Sequence, residues 1–239
     1  MPNRLLAALA VVAALSLTAA CGDDDNTAKD SSDATSSSSS PTASESTSRE
    51  PTDVTCTYTE EPPASKDVEL PPEQATVSGQ LTSTMETSAG TFTLTLDADK
   101  TPCTVNSFVS LADQGYFDGT SCHLMTTPKG FQVLQCGDPT GSGSGGPGYS
   151  FADELTGDEM YPAGTLAMAN AGPDTNGSQF FIVYGDTQLS PDYTVFGTVD
   201  DATISAIEEV AKDGTDDSNG MPGDGHPNTP VDIKSVTVQ

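Results

Sequence analysis

Apolar residues fall at every second position over 91–96, where Phe92, Leu94 and Leu96 alternate with threonines. That period of two marks a strand with one buried face. Stretches of similar character occupy 81–87, 131–136, 164–169, 179–183, 194–199 and 231–238. Two segments read instead as helices. One covers 105–112, with Pro102 and Thr104 as start signals and Gly115 near its end. The other covers 204–212, with Ile204, Ile207 and Val210 or Ala211 at helical spacing and Gly214 beyond it. Many short strands with few helices predict a mainly β protein: a closed antiparallel barrel of about eight strands, capped by two helices.

The N-terminus follows another pattern. Arg4 precedes an apolar run over 5–17, and the small residues Thr18, Ala19 and Ala20 lead to Cys21. The run is too short to span a bilayer, so 1–20 is expected to be a secretory signal peptide. Cysteine after small residues resembles the lipobox of bacterial lipoproteins, with Leu17 one place off the usual leucine. Cys21 is therefore the expected lipidation site and new N-terminus. From there to residue 73 the chain is rich in Ser, Thr and Asp, including an all-serine stretch over 36–40. Such composition predicts a disordered tether. The folded domain is expected over 74–239, outside the cytoplasm and lipid-anchored to the outer face of the cell membrane.

The chain has 35 acidic and 8 basic residues, a net charge of −27. That field repels phosphate backbones and anionic headgroups, which disfavours nucleic acid as a partner and leaves a covalent lipid as the route to a membrane. Besides Cys21 there are Cys56, Cys103, Cys122 and Cys136. In an oxidising compartment they are expected to form two disulfides, with the pairing open. A metal site from Cys122, His123, Cys136 and His226 is the weaker alternative, because their spacing matches no regular zinc motif. No metal or cofactor is expected.

The densest chemistry lies in 164–182, GTLAMANAGPDTNGSQFFI, where two apolar stretches flank a Gly/Pro/Asn-rich connection. Asn170 and Gln179 place amides beside apolar Ala169 and Phe181, which suits a pocket that grips a peptide backbone while a ring fills an apolar floor. This segment is similar, almost residue for residue, to the signature of cyclophilins. Two others, 116–123 (YFDGTSCH) and 135–141 (QCGDPTG), resemble the family's region around its catalytic His-Arg pair. The resemblance covers the folded domain and implies a cyclophilin-like barrel acting as a peptidyl-prolyl cis-trans isomerase. It implies His123, Gln135 and Phe181 as catalytic residues. It implies Phe131, Val133, Ala169, Asn170, Gln179, Leu189 and Tyr193 as the substrate-binding set. Strand alternation places Phe131, Val133 and Gln135 on one face, which favours Phe131 as a pocket ring.

Other motifs carry less. The sequence GSGSGG over 141–146 satisfies G-x-G-x-x-G, but Pro147 and Gly148 follow it instead of a helix, so it reads as a flexible loop. Asn176-Gly177-Ser178 is formally a glycosylation sequon inside the signature.

One departure matters most. Where the family has its catalytic arginine, directly after the histidine, this chain has Leu124, and the nearest downstream cation is Lys129. Gln188 and Tyr193 also replace a Trp and a His that many cyclophilins carry, and the chain has no Trp. The expected function is isomerisation of X-Pro bonds in exported proteins at reduced rate, by a monomer that binds proline-containing segments. The alternative is a non-catalytic proline-peptide binding module or holdase at the cell surface.

Overall fold

The computed structural model describes residues 51–239. Its first half contains β1 (Thr59–Glu60), β2 (Gln80–Thr87), β3 (Gly90–Asp97), α1 (Pro102–Asp113), β4 (Thr120–Ser121), β5 (Leu124–Thr126) and β6 (Val133–Cys136). There follow β7 (Tyr149–Ser150), β8 (Thr165–Met168), β9 (Phe180–Val183), β10 (Val195–Val199), α2 (Asp201–Ala211), β11 (Asp224–Gly225) and β12 (Asp232–Val238). Ten strands form one antiparallel sheet in the order β11-β5-β6-β9-β8-β10-β3-β2-β12-β4, and β1 pairs with β7. The sheet curls round the core as a half-barrel with two helices, the mainly β architecture expected. The strands not anticipated, such as β4, β5 and β11, have two or three residues each. That is too few to show a period.

Alternation does the sorting. In β3, Phe92, Leu94 and Leu96 are fully buried, while the threonines between them are partly exposed. Helix α1 lays Val105, Phe108, Val109 and Leu111 on this core. Phe108 stacks on Phe117 at 5.1 Å and meets Phe180 edge-on at 5.7 Å. Thr101 makes no side-chain cap for α1. Instead the Glu154 carboxylate accepts the first-turn N–H groups of Cys103 (3.0 Å) and Thr104 (2.8 Å), donors that a helix cannot satisfy itself. Helix α2 uses Asp200, which accepts from the Thr203 N–H at 2.8 Å.

The domain boundary at 74 needs correction, because 51–73 belongs to the fold. Cys56 is bonded to Cys103 at the start of α1. Tyr58 is buried, its hydroxyl donating to the Cys103 carbonyl (2.9 Å) and accepting from the Asn106 amide (3.0 Å). Lys66 donates to the Tyr116 carbonyl beyond the end of α1. The polar, proline-rich composition hid this arm, but a cross-link and a buried ring are enough to order it. The signal peptide, Cys21 and the rest of the tether lie outside the described residues. The second disulfide joins Cys122 to Cys136. All four cysteines are thereby oxidised, which removes the thiolates that the alternative metal site required. Among the described residues no cluster of metal-ligating side chains occurs, and no helix is long and apolar enough to cross a membrane.

Candidate functional site

Strand β9 reads Phe180-Phe181-Ile182-Val183 and is buried on both faces. Phe180 and Ile182 point into the barrel core, whereas Phe181 and Val183 belong to a second apolar cluster outside it. The paired strands add to that outer cluster by register: Ala167 of β8 lies opposite Phe181, and Val133 of β6 lies opposite Val183. Phe131, Ala169, Leu189 and Tyr193 are partly buried against it. All the apolar site residues expected from sequence thus converge on one floor. Tyr193 sets its ring edge-on to Phe181, 5.5 Å away at 87°.

Tyr161 was not anticipated. It is 4% exposed within this cluster, and its hydroxyl donates to the Tyr193 carbonyl (3.1 Å) and accepts from the Tyr193 N–H (3.0 Å). It holds Tyr193 in place. Its neighbours Asp158, Glu159 and Pro162 give no periodic signal, so sequence pattern alone offered nothing to find it.

The polar groups line the rim. Gln135 lies opposite Phe181 in register and donates its amide to Gln179 Oε1 at 2.8 Å. Gln179 in turn donates to the carbonyls of Gly145 (2.9 Å) and Gly143 (3.1 Å). The two glutamines and the glycine-rich loop form one chain of hydrogen bonds that fixes each side chain. The Gln179 carbonyl accepts from the Ala169 N–H at 3.0 Å. Asn170 donates to the Asp192 carbonyl (2.8 Å), tying the signature loop to the segment that carries Tyr193.

The glycine-rich loop is built rather than loose. Asp138 is fully buried and accepts from the N–H groups of Thr140 (2.7 Å) and Gly145 (3.0 Å) and from the Thr140 hydroxyl. Burial pushes its carboxyl pKa up, but these hydrogen bonds outweigh burial and hold it below the usual carboxylate range. At Gly143 the loop passes against the ring of His123. His123 is 6% exposed, and neither ring nitrogen has a hydrogen-bond partner among the described residues. Burial lowers its pKa against the opposing pull of Asp138, so the imidazole stays neutral. Its neighbour in the chain, Cys122, is bonded to Cys136.

Leu124 is half-buried and sits opposite Gln135 in register, at the edge of the rim. Lys129 is exposed in the turn beyond β5. Asn176 of the sequon is fully buried, with its amide donating to Asp153 at 2.8 Å, so it is structural and closed to glycosylation. A cavity of about 550 Å³ adjoins the floor at Ala169 and is also lined by Gln135, Asn170 and Gln179.

An apolar floor thus lies beside a fixed polar rim on a curled β-sheet, and among the described residues no metal-ligand set occurs. The cyclophilin-type peptidyl-prolyl cis-trans isomerase family matches residues 82–238. Probable peptidyl-prolyl cis-trans isomerase B of Mycobacterium tuberculosis is 48% identical over 196 residues, covering 76% of this chain and 63% of the relative. Peptidyl-prolyl cis-trans isomerase A of the same organism is 41% identical over 182 residues, covering 66% of this chain and 91% of that protein. A crystal structure of a Cryptosporidium parvum cyclophilin-type isomerase superposes with a TM-score of 0.58 at 31% identity, covering 67% of this chain and 98% of the other. The chain belongs to the cyclophilin family. It spans 63% of the length of the isomerase B relative.

Proposed function

We propose that the protein is a peptidyl-prolyl cis-trans isomerase, held by a lipid on Cys21 at the outer face of the cell membrane. There it acts as a monomer on X-Pro bonds of exported proteins, at a rate reduced by Leu124. The observation that carries the reading is the outer floor of Phe131, Val133, Phe181, Leu189 and Tyr193, set beside Ala169 and Asn170. A proline ring fits such a floor, and the rim holds the extended chain on either side of it. The names of the relatives support the chemistry.

The reaction is rotation about an amide bond, whose uncatalysed interconversion takes tens to hundreds of seconds. In the twisted transition state the prolyl nitrogen loses resonance with its carbonyl and gains a lone pair. Seating the ring while gripping the flanking backbone favours that conformer over the planar ground state. A cation at the nitrogen would favour it further, and Leu124 supplies none. Losing a donor of this kind costs ~10²–10³ in rate.

The test is a protease-coupled isomerisation assay on a succinyl-Ala-Ala-Pro-Phe substrate. The wild type is expected to exceed the uncatalysed rate, and Leu124→Arg to raise kcat/KM by about two orders of magnitude. If both folded proteins stay at the uncatalysed rate, the isomerase reading fails. The second reading, a non-catalytic proline-peptide binding module, is favoured by Leu124 itself and predicts that outcome together with retained peptide binding.

A further inference from the structure

The arm over 51–73 does more than complete the core. Glu61 donates its N–H to the Gly148 carbonyl (2.7 Å), and Ser65 donates to the Gly146 carbonyl (2.8 Å). Gly146 returns an N–H to the Ser65 hydroxyl at 3.0 Å. The arm is thus laced along the glycine-rich loop. That approach needs glycine: a Cβ on Gly148 would lie 2.8 Å from the Ala64 Cβ, and one on Gly145 would lie 2.7 Å from the Ser65 hydroxyl. Cys56 and the buried Tyr58 anchor the arm upstream.

The consequence is a new wall for the 550 Å³ cavity beside Ala169, to which Glu61 and Pro63 contribute. Glu61 Oε1 accepts from the Ser150 hydroxyl at 2.8 Å, and both residues line the cavity. Among the described lining residues Glu61 is the only charged side chain. The remainder is small or neutral: amides from Gln135, Asn170 and Gln179, with apolar surface from Ala169, Ala171 and Pro147. A long aliphatic stem ending in a cation suits that distribution, with methylenes on the apolar wall and the charge at the carboxylate. A carboxylate would meet Glu61 as a like charge, in a chain of net charge −27.

We propose that Glu61, positioned by Ser150, makes this cavity a subsite for a lysine or arginine of the same peptide that seats its proline on the Phe181 floor. The protein then selects clients with a basic residue a few positions from the proline. This rests on the reading of Ala169 and Asn170 as the peptide grip, and the test separates the two.

Dissociation constants are measured by amide NMR titration of the protein with Ala-Pro hexapeptides. Lysine, norleucine or glutamate is placed in turn at each of the three positions before the proline. At one position the lysine peptide is expected to bind about two- to fivefold more tightly than the norleucine peptide, and the glutamate peptide more weakly than either. The gap should shrink as salt is raised. In Glu61→Gln the lysine-to-norleucine ratio measured on that variant should fall to about one, and in Glu61→Lys the order should invert. Peptides that bind without charge preference at any position, or a preference unchanged in both variants, would overturn the subsite while leaving the peptide-site reading intact. A lysine preference without catalysis would uphold the subsite and count against the isomerase reading alone. Binding of no peptide would overturn both.

Discussion

Strands β6, β8 and β9 build two apolar clusters from one stretch of backbone, and the clusters differ in what they leave open. Inside the barrel, Leu134, Leu166, Met168, Phe180 and Ile182 join a continuous core sealed by α1, with Phe180 set edge-on to both Phe108 and Phe117. Outside, Val133, Ala167, Phe181 and Val183 form a floor whose partners Phe131, Ala169, Leu189 and Tyr193 remain partly exposed. Both faces look alike by composition. The difference is closure: the inner face has used up its apolar surface in folding, and the outer face keeps a share available to a ligand.

Adjacent residues on β9 should therefore fail in different ways. Phe180→Ala removes a ring from the closed core and should cost about 3–5 kcal/mol of stability, measured by denaturant unfolding. Phe181→Ala should cost clearly less stability, because its surroundings are partly open, but weaken Ala-Pro peptide binding by about tenfold or more. Equal stability losses with unchanged peptide affinity would erase the distinction between the two faces.

A smaller effect tests the rim. His123 is buried and neutral, with its pKa depressed from the ordinary 6.5. Below that value the unfolded chain binds a proton that the folded state resists, so stability falls as pH drops through 6.5 toward the folded pKa. His123→Gln should flatten this part of a melting-temperature profile. Asp138 works in the same sense but lower down. Its depressed carboxyl pKa contributes stability above the ordinary 3.8 that is lost as pH falls below it, and that slope should persist in the variant.

The inner and outer faces were legible in the sequence to different degrees. Threonine alternation around Phe92, Leu94 and Leu96 is a direct print of a one-sided strand, and β3 follows it. Phe180-Phe181-Ile182-Val183 has no alternation, so periodicity could mark a buried strand without saying which residue faces out. The family resemblance supplied that for Phe181. Tyr161 escaped because it reaches the floor from a loop, where no period constrains it. The arm over 51–73 escaped because acidic and proline-rich composition suggested a tether. Cys56 was the clue within it, since a cysteine expected in a disulfide needs a partner on the fold, and Cys103 is that partner. The wall that Glu61 adds depends on a long-range contact between the arm and the glycine-rich loop, which neither segment signals alone.

The most direct test of the two-face account locates the proline itself. In a complex with an Ala-Pro hexapeptide, intermolecular NOEs should connect the proline ring protons to the Phe181 and Tyr193 rings and the Val133 methyls, with amide shifts at Ala169, Asn170 and Gln179. NOEs placing the proline elsewhere, with those amides unmoved, would contradict it.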